Sequence, residues 1–172
     1  MYLILYDINY HHHLIYCGII ILSPHQFQWP VRVYYEDTDS AGVVYHANYL
    51  NFMERARSEW LRSLGFEQDL LLSKENVIFV VRSAHIEYLK PARFNDMLSV
   101  SVVVEQSGPA SITFKQQVRR FLAAISPHAS HDHESLLYCT GRVKIAALDS
   151  STLRVCPIPR SIRAKISVGD VS

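Results

Sequence analysis

The chain has 172 residues, 49% of them hydrophobic and 19% charged, with a formal net charge of +1. That length suits one domain with a proper core, and so small a net charge argues against a general nucleic-acid or membrane-surface role, both of which usually draw on a basic excess. The three cysteines, Cys17, Cys139 and Cys156, are odd in number and far apart; they exclude a disulfide framework and a CxxC metal pair, and read as reduced, partly buried thiols of a cytoplasmic protein.

Residues 1–27 contain the apolar run LIYCGIIIL, Leu14 to Leu22, about half of what a membrane span requires. The start, MYLILYDINYHHH, carries Asp7 and neither Lys nor Arg, unlike the charged start of a secretory signal. The segment reads as an extension outside the core. From Gln28 to Glu36, QWPVRVYYE alternates Val31, Val33 and Tyr35 with Arg32, Tyr34 and Glu36. A period of two predicts a strand, with Tyr35 on the Val31/Val33 face. DTDSAG, Asp37 to Gly42, is a turn of small and acidic residues ending in a glycine. From Asn48 the period changes. Tyr49, Phe52, Met53, Ala56, Trp60 and Leu64 form an apolar stripe, with Glu54, Arg55, Arg57, Ser58, Glu59 and Arg62 opposite and Arg55–Glu59 as an i,i+4 pair. Asn48 or His46 can cap the start, and Gly65 stands where a terminating glycine belongs. This predicts a helix of about five turns.

FEQDLLLSKE, Phe66 to Glu75, reads as a short helix or turn. Strands are expected over Val77–Leu89, Phe94–Gln106, Ser111–Ala124 and Ser135–Leu148, with a turn at Ser107-Gly108-Pro109. SPHASHDHE, Ser126 to Glu134, reads as a polar loop rather than a zinc site, although its His128, His131 and His133 are residues that zinc could use. The tail from Cys156 begins with two prolines and reads as an edge segment. One strand, one long helix and four strands joined by short turns imply an α+β domain, its helix buried on a curved antiparallel sheet of sequential neighbours. An uncovered edge and face would need a second copy. The domain spans residues 28–166, with 167–172 a tail.

The first strand–helix junction carries the chemistry. Helix N-termini leave unpaired N–H groups and a partial positive charge, which can polarise a carbonyl and hold the oxyanion formed on attack. Asp39, Gly42 and the N–H groups near His46 place a carboxylate just upstream of such an end. An ordinary carboxylate, with a pKa near 3.9, is a weak general base at neutral pH. Such a group attacks directly, or has its basicity raised by burial or by a neighbouring acid such as Asp37. The residues leave these routes open. No GxSxG elbow, P-loop, HExxH or dinucleotide fingerprint occurs, so serine-hydrolase and nucleotide readings have no support.

WPVRVYYEDTDSAGVVYHANYLNFMERARSEWL (Trp29 to Leu61) and FVVRSAHIEYLKPARFNDML (Phe79 to Leu98), with a weaker likeness in VCPIPRSI (Val155 to Ile162), resemble the hotdog-fold acyl-CoA thioesterases of the 4-hydroxybenzoyl-CoA thioesterase class. In particular they resemble the YbgC-like enzymes associated with the Tol-Pal envelope system. The likeness runs from about Phe27 to Ile166; residues 1–27 and the His-rich loop have no counterpart in it. It implies a hotdog fold, a long central helix wrapped by a curved antiparallel sheet and paired through sheet edges into homodimers or homotetramers. It implies a cytoplasmic hydrolase that cleaves short-chain or aromatic acyl-CoA to free acid and CoA, without stable membrane insertion. The catalytic carboxylate matches Asp39, accompanied by Tyr35 and His46, with the His46 backbone N–H polarising the thioester carbonyl. No metal or resident cofactor is implied. Arg82, Lys90 and Arg93 are candidates for the CoA phosphates, and Glu54 for the acyl group. Two other readings share the fold: a hotdog dehydratase, whose Asp/His spacing DTDSAGVVYH matches poorly, and a non-catalytic module for acyl ligands or partner proteins.

Overall fold

A computed structural model describes residues 27–121 and 136–166. The extension over residues 1–26, the His-rich loop and the last six residues lie outside the described residues. The chain runs β1 (Phe27–Arg32), α1 (Asn48–Ser63), α2 (Gln68–Glu75), β2 (Val77–Tyr88), β3 (Met97–Ser107), β4 (Ser111–Arg120), β5 (Leu137–Asp149) and α3 (Arg160–Lys165). The expected α+β architecture is present. The five strands form one antiparallel sheet in the order β1-β3-β4-β5-β2.

That order corrects one expectation. β2 and β3, consecutive in sequence, are not neighbours: β2 pairs with β5 at one edge and β3 lies beside β1 at the other side. The segment 89–96 makes the crossing, and it is fastened to the start of α1. The Val44 N–H donates to the Ala92 carbonyl, and the Ala92 N–H donates to the Tyr49 hydroxyl at 3.0 Å. The first helix turn and the strand crossover are therefore one structural unit.

The helix forms where the stripe requires it. Tyr49, Phe52, Met53 and Ala56 are buried, Trp60 is half-buried, and Leu61 joins the buried set. These side chains meet Leu98, Val100, Phe114 and Val118 of the sheet in one core. α1 packs chiefly on β1, β3 and β4. Gly141 of β5 lets the helix approach: a Cβ there would stand 2.6 Å from the Met53 sulfur. Gly65, at φ 87°, ends the helix as expected. The start differs. Ala47 precedes the first helical residue and no side chain caps it. Asn48 instead donates through its amide to the Asp37 carbonyl at 3.0 Å. Glu59 pairs with Arg62, which also meets Glu67, rather than with Arg55.

Boundaries moved where a carboxylate captured a backbone N–H. β1 stops at Arg32, not Glu36, because Tyr35–Asp37 form a 3₁₀ turn held by the Tyr34 N–H donating to Asp37 Oδ2 at 2.8 Å. The following strand expected from Phe94 starts at Met97. Asn95 is left-handed (φ 69°), and the Arg93 N–H donates to Asp96 Oδ2. The tail is more than an edge segment: Val155 bridges to Leu148, and α3 buries Ile162 completely. The Lys165 ammonium then donates to the Leu64 carbonyl at 2.7 Å, a cation on the negative end of α1.

Cys139 is fully buried and its thiol is pushed up to about 12 by desolvation. Alkylation of Cys139 at pH 8 is expected only after unfolding, because the thiolate is the reactive form; peptide mapping after iodoacetamide treatment of native and denatured protein checks this. Among the described residues no helix is long and apolar enough to cross a membrane.

Candidate active site at the start of the central helix

The link from Tyr34 to Asn48 is a compact knot. The Thr38–Val44 bridge closes a tight loop, inside which the Asp39 N–H donates to the Val43 carbonyl and the Gly42 N–H to the Asp39 carbonyl. Gly42 takes φ 73°, a conformation few other residues adopt cheaply. Val43 bridges in turn to Arg93, tying the loop to the strand crossover.

The two aspartates of this loop have different fates. Asp37 is 5% exposed. Its carboxylate takes the Tyr34 N–H, and its carbonyl takes both the Tyr45 N–H and the Asn48 amide. It is consumed in holding the loop. Asp39 is exposed, and its Oδ1 accepts the Ala41 N–H at 2.8 Å, which fixes the carboxylate's direction while Oδ2 has no hydrogen-bond partner among the described residues. The two carboxylates are thus held by different backbone N–H groups, one buried and one exposed.

His46 is exposed and stands two residues before the first helical residue, Asn48. Its backbone N–H has no hydrogen-bond partner among the described residues, whereas its carbonyl accepts the Tyr88 hydroxyl at 3.0 Å. The imidazole lies 4.4 Å from the Tyr45 ring and 6.3 Å from that of Tyr88. Val44, His46, Tyr49, Tyr88, Lys90 and Pro91 line an open depression of about 280 Å³. So an unpaired N–H, the positive end of α1 and a cation meet beside the Asp39 loop.

Tyr35 is not on the Val31/Val33 face. The 3₁₀ turn rotates it outward to 76% exposure, and its ring stacks on Phe94 at 3.9 Å. Of the expected phosphate contacts, Lys90 lines the depression and Arg93 flanks the loop. Arg82 does not join them; it sits at the β2 bulge, about 20 Å along the strand from Tyr88 at a rise near 3.3 Å per residue. Glu54 is also elsewhere. It lies further down α1, accepts the Ser58 hydroxyl, and borders a separate slot against β2, β4 and β5.

Sequence reasoning missed Tyr49, Tyr88 and the carbonyl of Asp37 as the parts that assemble the junction. Tyr49 appears in sequence only as a core residue, yet its hydroxyl accepts the N–H of Ala92, 43 residues further along the chain, in the crossover. Tyr49→Phe is expected to cost about 1 kcal/mol by orphaning the Ala92 N–H, read as a lower urea midpoint at unchanged slope.

Comparisons with known proteins give this geometry a family. The model of the thioesterase-like superfamily matches residues 33–166. The acyl-CoA thioesterase YbgC of Haemophilus influenzae is 39% identical over 138 residues, 80% of this chain and 92% of the relative. The crystal structure of a probable thioesterase from Bartonella henselae superposes with a TM-score of 0.65 at 32% identity, covering 77% of this chain and 98% of that one. An Asp→Asn mutant of 4-hydroxybenzoyl-CoA thioesterase, complexed with 4-hydroxybenzoyl-CoA, superposes with a TM-score of 0.72 at 15% identity over 83% of this chain and 99% of that one, and so shares its fold. The chain belongs to the thioesterase-like hotdog superfamily, as a homologue of the YbgC thioesterases.

Proposed function

We propose that this protein hydrolyses acyl-CoA thioesters at the Asp39–His46 junction. The observation that carries the reading is the division of labour between neighbouring acids: Asp37 is buried in the scaffold, and Asp39 is exposed, oriented and has an oxygen to spare in the loop that leads into an uncapped helix start. The thioester oxygen rests on the His46 N–H at the positive end of α1. The ionised Asp39 carboxylate attacks the carbonyl carbon, or takes a proton from the water that does. The carbonyl electrons move onto that oxygen and return to expel CoA as its thiolate, which is then protonated. On the water route the free acid is formed directly; on the direct route the acyl group is left as a mixed anhydride on Asp39, which a water molecule hydrolyses to the free acid and the regenerated carboxylate. Both routes ask the same of Asp39, a charged oxygen within reach of the carbon, and an ¹⁸O single-turnover experiment separates them.

Tyr35, from the turn just ahead of Asp39, and the His46 imidazole complete the catalytic group. Lys90 and Arg93 take the CoA phosphates; Arg82 serves a CoA molecule only from a second copy. Residues 28–166, together with Phe27, which opens β1, form the catalytic unit. The exposed β2 edge, carrying Val81 and Tyr88, pairs copies into a dimer or tetramer, and the protein works in the cytoplasm alongside the Tol-Pal system. Sedimentation reads the assembly. A thiol-release assay over acetyl-, butyryl-, benzoyl- and 4-hydroxybenzoyl-CoA tests the chemistry. Release of CoA with at least one of them is expected. Binding without turnover, or hydration of an enoyl-CoA instead, would replace this reading with the acyl-binding module or the dehydratase.

A further inference from the structure

A second feature of α1 bears on which acyl group fits. Where the helix leaves the sheet towards β2, a slot of about 90 Å³ opens, floored by Trp60, Phe79, Val81, Ile112 and Phe114. Arg57 reaches into this apolar setting. Its guanidinium donates to Gln116 Oε1 at 2.7 Å, and Gln116, fully buried on β4, donates to the Met53 carbonyl at 3.1 Å. Gln116 is thus fixed at both ends and aims the guanidinium.

Arg57 differs from the other strongly placed arginines. Arg62 and Arg142 each meet a carboxylate. Arg57 has no carboxylate within ion-pair distance among the described residues. Glu54 acts on it only through space, its carboxylate taken by Ser58. Desolvation lowers the Arg57 pKa, the mark of a cation losing water without a full counter-charge. A guanidinium has five donors, and one neutral acceptor leaves most of the fork for something else.

One side of α1 runs from the helix start to the slot. Leu50, Glu54 and Arg57 succeed one another on one side of α1 at spacings of four and three. From Asn48 to Arg57 the helix rises about 14 Å. We infer that the acyl group runs from the helix start along the α1–β2 seam, and that Arg57, aimed by Gln116, binds an anionic or hydrogen-bond-accepting group at its distal end. The preferred long substrates are then ω-carboxyacyl-CoA thioesters. Short-chain and aromatic acyl groups occupy the near part of the seam and do not reach Arg57.

This inference rests on the hydrolase reading above, and the test separates the two. The mono-CoA thioester of sebacic acid and decanoyl-CoA have the same chain length and differ at the far end. Wild-type kcat/KM is expected to favour the carboxylated substrate about tenfold or more, the weight of a charge-assisted hydrogen bond. Arg57→Met, which keeps the stem and removes the charge, is expected to abolish that preference while butyryl-CoA hydrolysis changes less than about threefold. Arg57→Lys is expected to restore part of it. Equal wild-type rates for the two long substrates, or a uniform loss over all substrates in Arg57→Met, would overturn the inference and leave Arg57 as a structural tie. If Arg57→Met does not fold, inhibition of the wild type decides: free sebacate must compete better than decanoate, and the reverse order rejects the site. Failure of the hydrolase reading looks different, since then butyryl-CoA too releases no thiol.

Discussion

Asp39→Asn is expected to lower kcat for acyl-CoA hydrolysis by about 10²- to 10⁴-fold, whether the carboxylate acts as base or nucleophile. Asparagine keeps an oxygen in the Oδ1 position, so the bond from the Ala41 N–H survives and the loop keeps its shape. What disappears is the charge. KM should change little, because the interaction lost is one made in the transition state. Stability should move by less than about 0.5 kcal/mol, as for other exposed substitutions. Steady-state kinetics with the best substrate of the panel, alongside a thermal melt, reads both. Retention of wild-type kcat by a well-folded Asp39→Asn would remove the mechanism.

Asp37→Ala is expected to fail in the opposite way. Its carboxylate is buried on the Tyr34 N–H, and leaving that donor unpaired costs about 1–3 kcal/mol. At about 2–4 °C per kcal/mol for a domain of this size the melt should fall by several degrees. Activity should fall with it, since the same turn carries the Tyr45 and Asn48 contacts that set the helix start. Asp37→Asn retains an acceptor and should recover most of both. The two asparagine variants therefore make a contrast: position 37 tolerates loss of charge, position 39 does not. An Asp37→Asn protein that melts normally and is inactive would show that the roles have been assigned to the wrong acid.

Much of the scaffold was legible in the residues. The α1 stripe over Tyr49, Phe52, Met53 and Ala56, the terminating Gly65 and the five strands follow from periods of 3.6 and 2, which local geometry imposes on any chain that buries one face. Tyr35 was misplaced because alternation continues through VRVYYE in the sequence, while the backbone leaves the strand at Arg32. A single hydrogen bond, Tyr34 to Asp37, turns it. Periodicity counts apolar side chains and does not register such a capture.

The order of the strands lay beyond reach for a related reason. A short link between two strands usually makes them neighbours, and the link from β2 to β3 is short; but residues 89–96 are tied to Tyr49 and Val44, so they carry the chain past the helix start instead of folding back. Only long-range bonds decide that.

By itself the sequence determined the helix, the strands, the acidic turn ahead of the helix and the likeness to a thioesterase family, because these are set by neighbours within a few residues or by a long contiguous motif. The tertiary structure decided which aspartate is spent on the scaffold and which is left exposed. It also brought Lys90 and Arg93, but not Arg82, to the junction, and set Arg57 in an apolar slot. Arg57 finds its partner 59 residues away, and Tyr49 meets the crossover 43 residues away; the bonds that separate the two aspartates are shorter in range, but they join carboxylates to backbone N–H groups, which a pattern of apolar side chains does not encode.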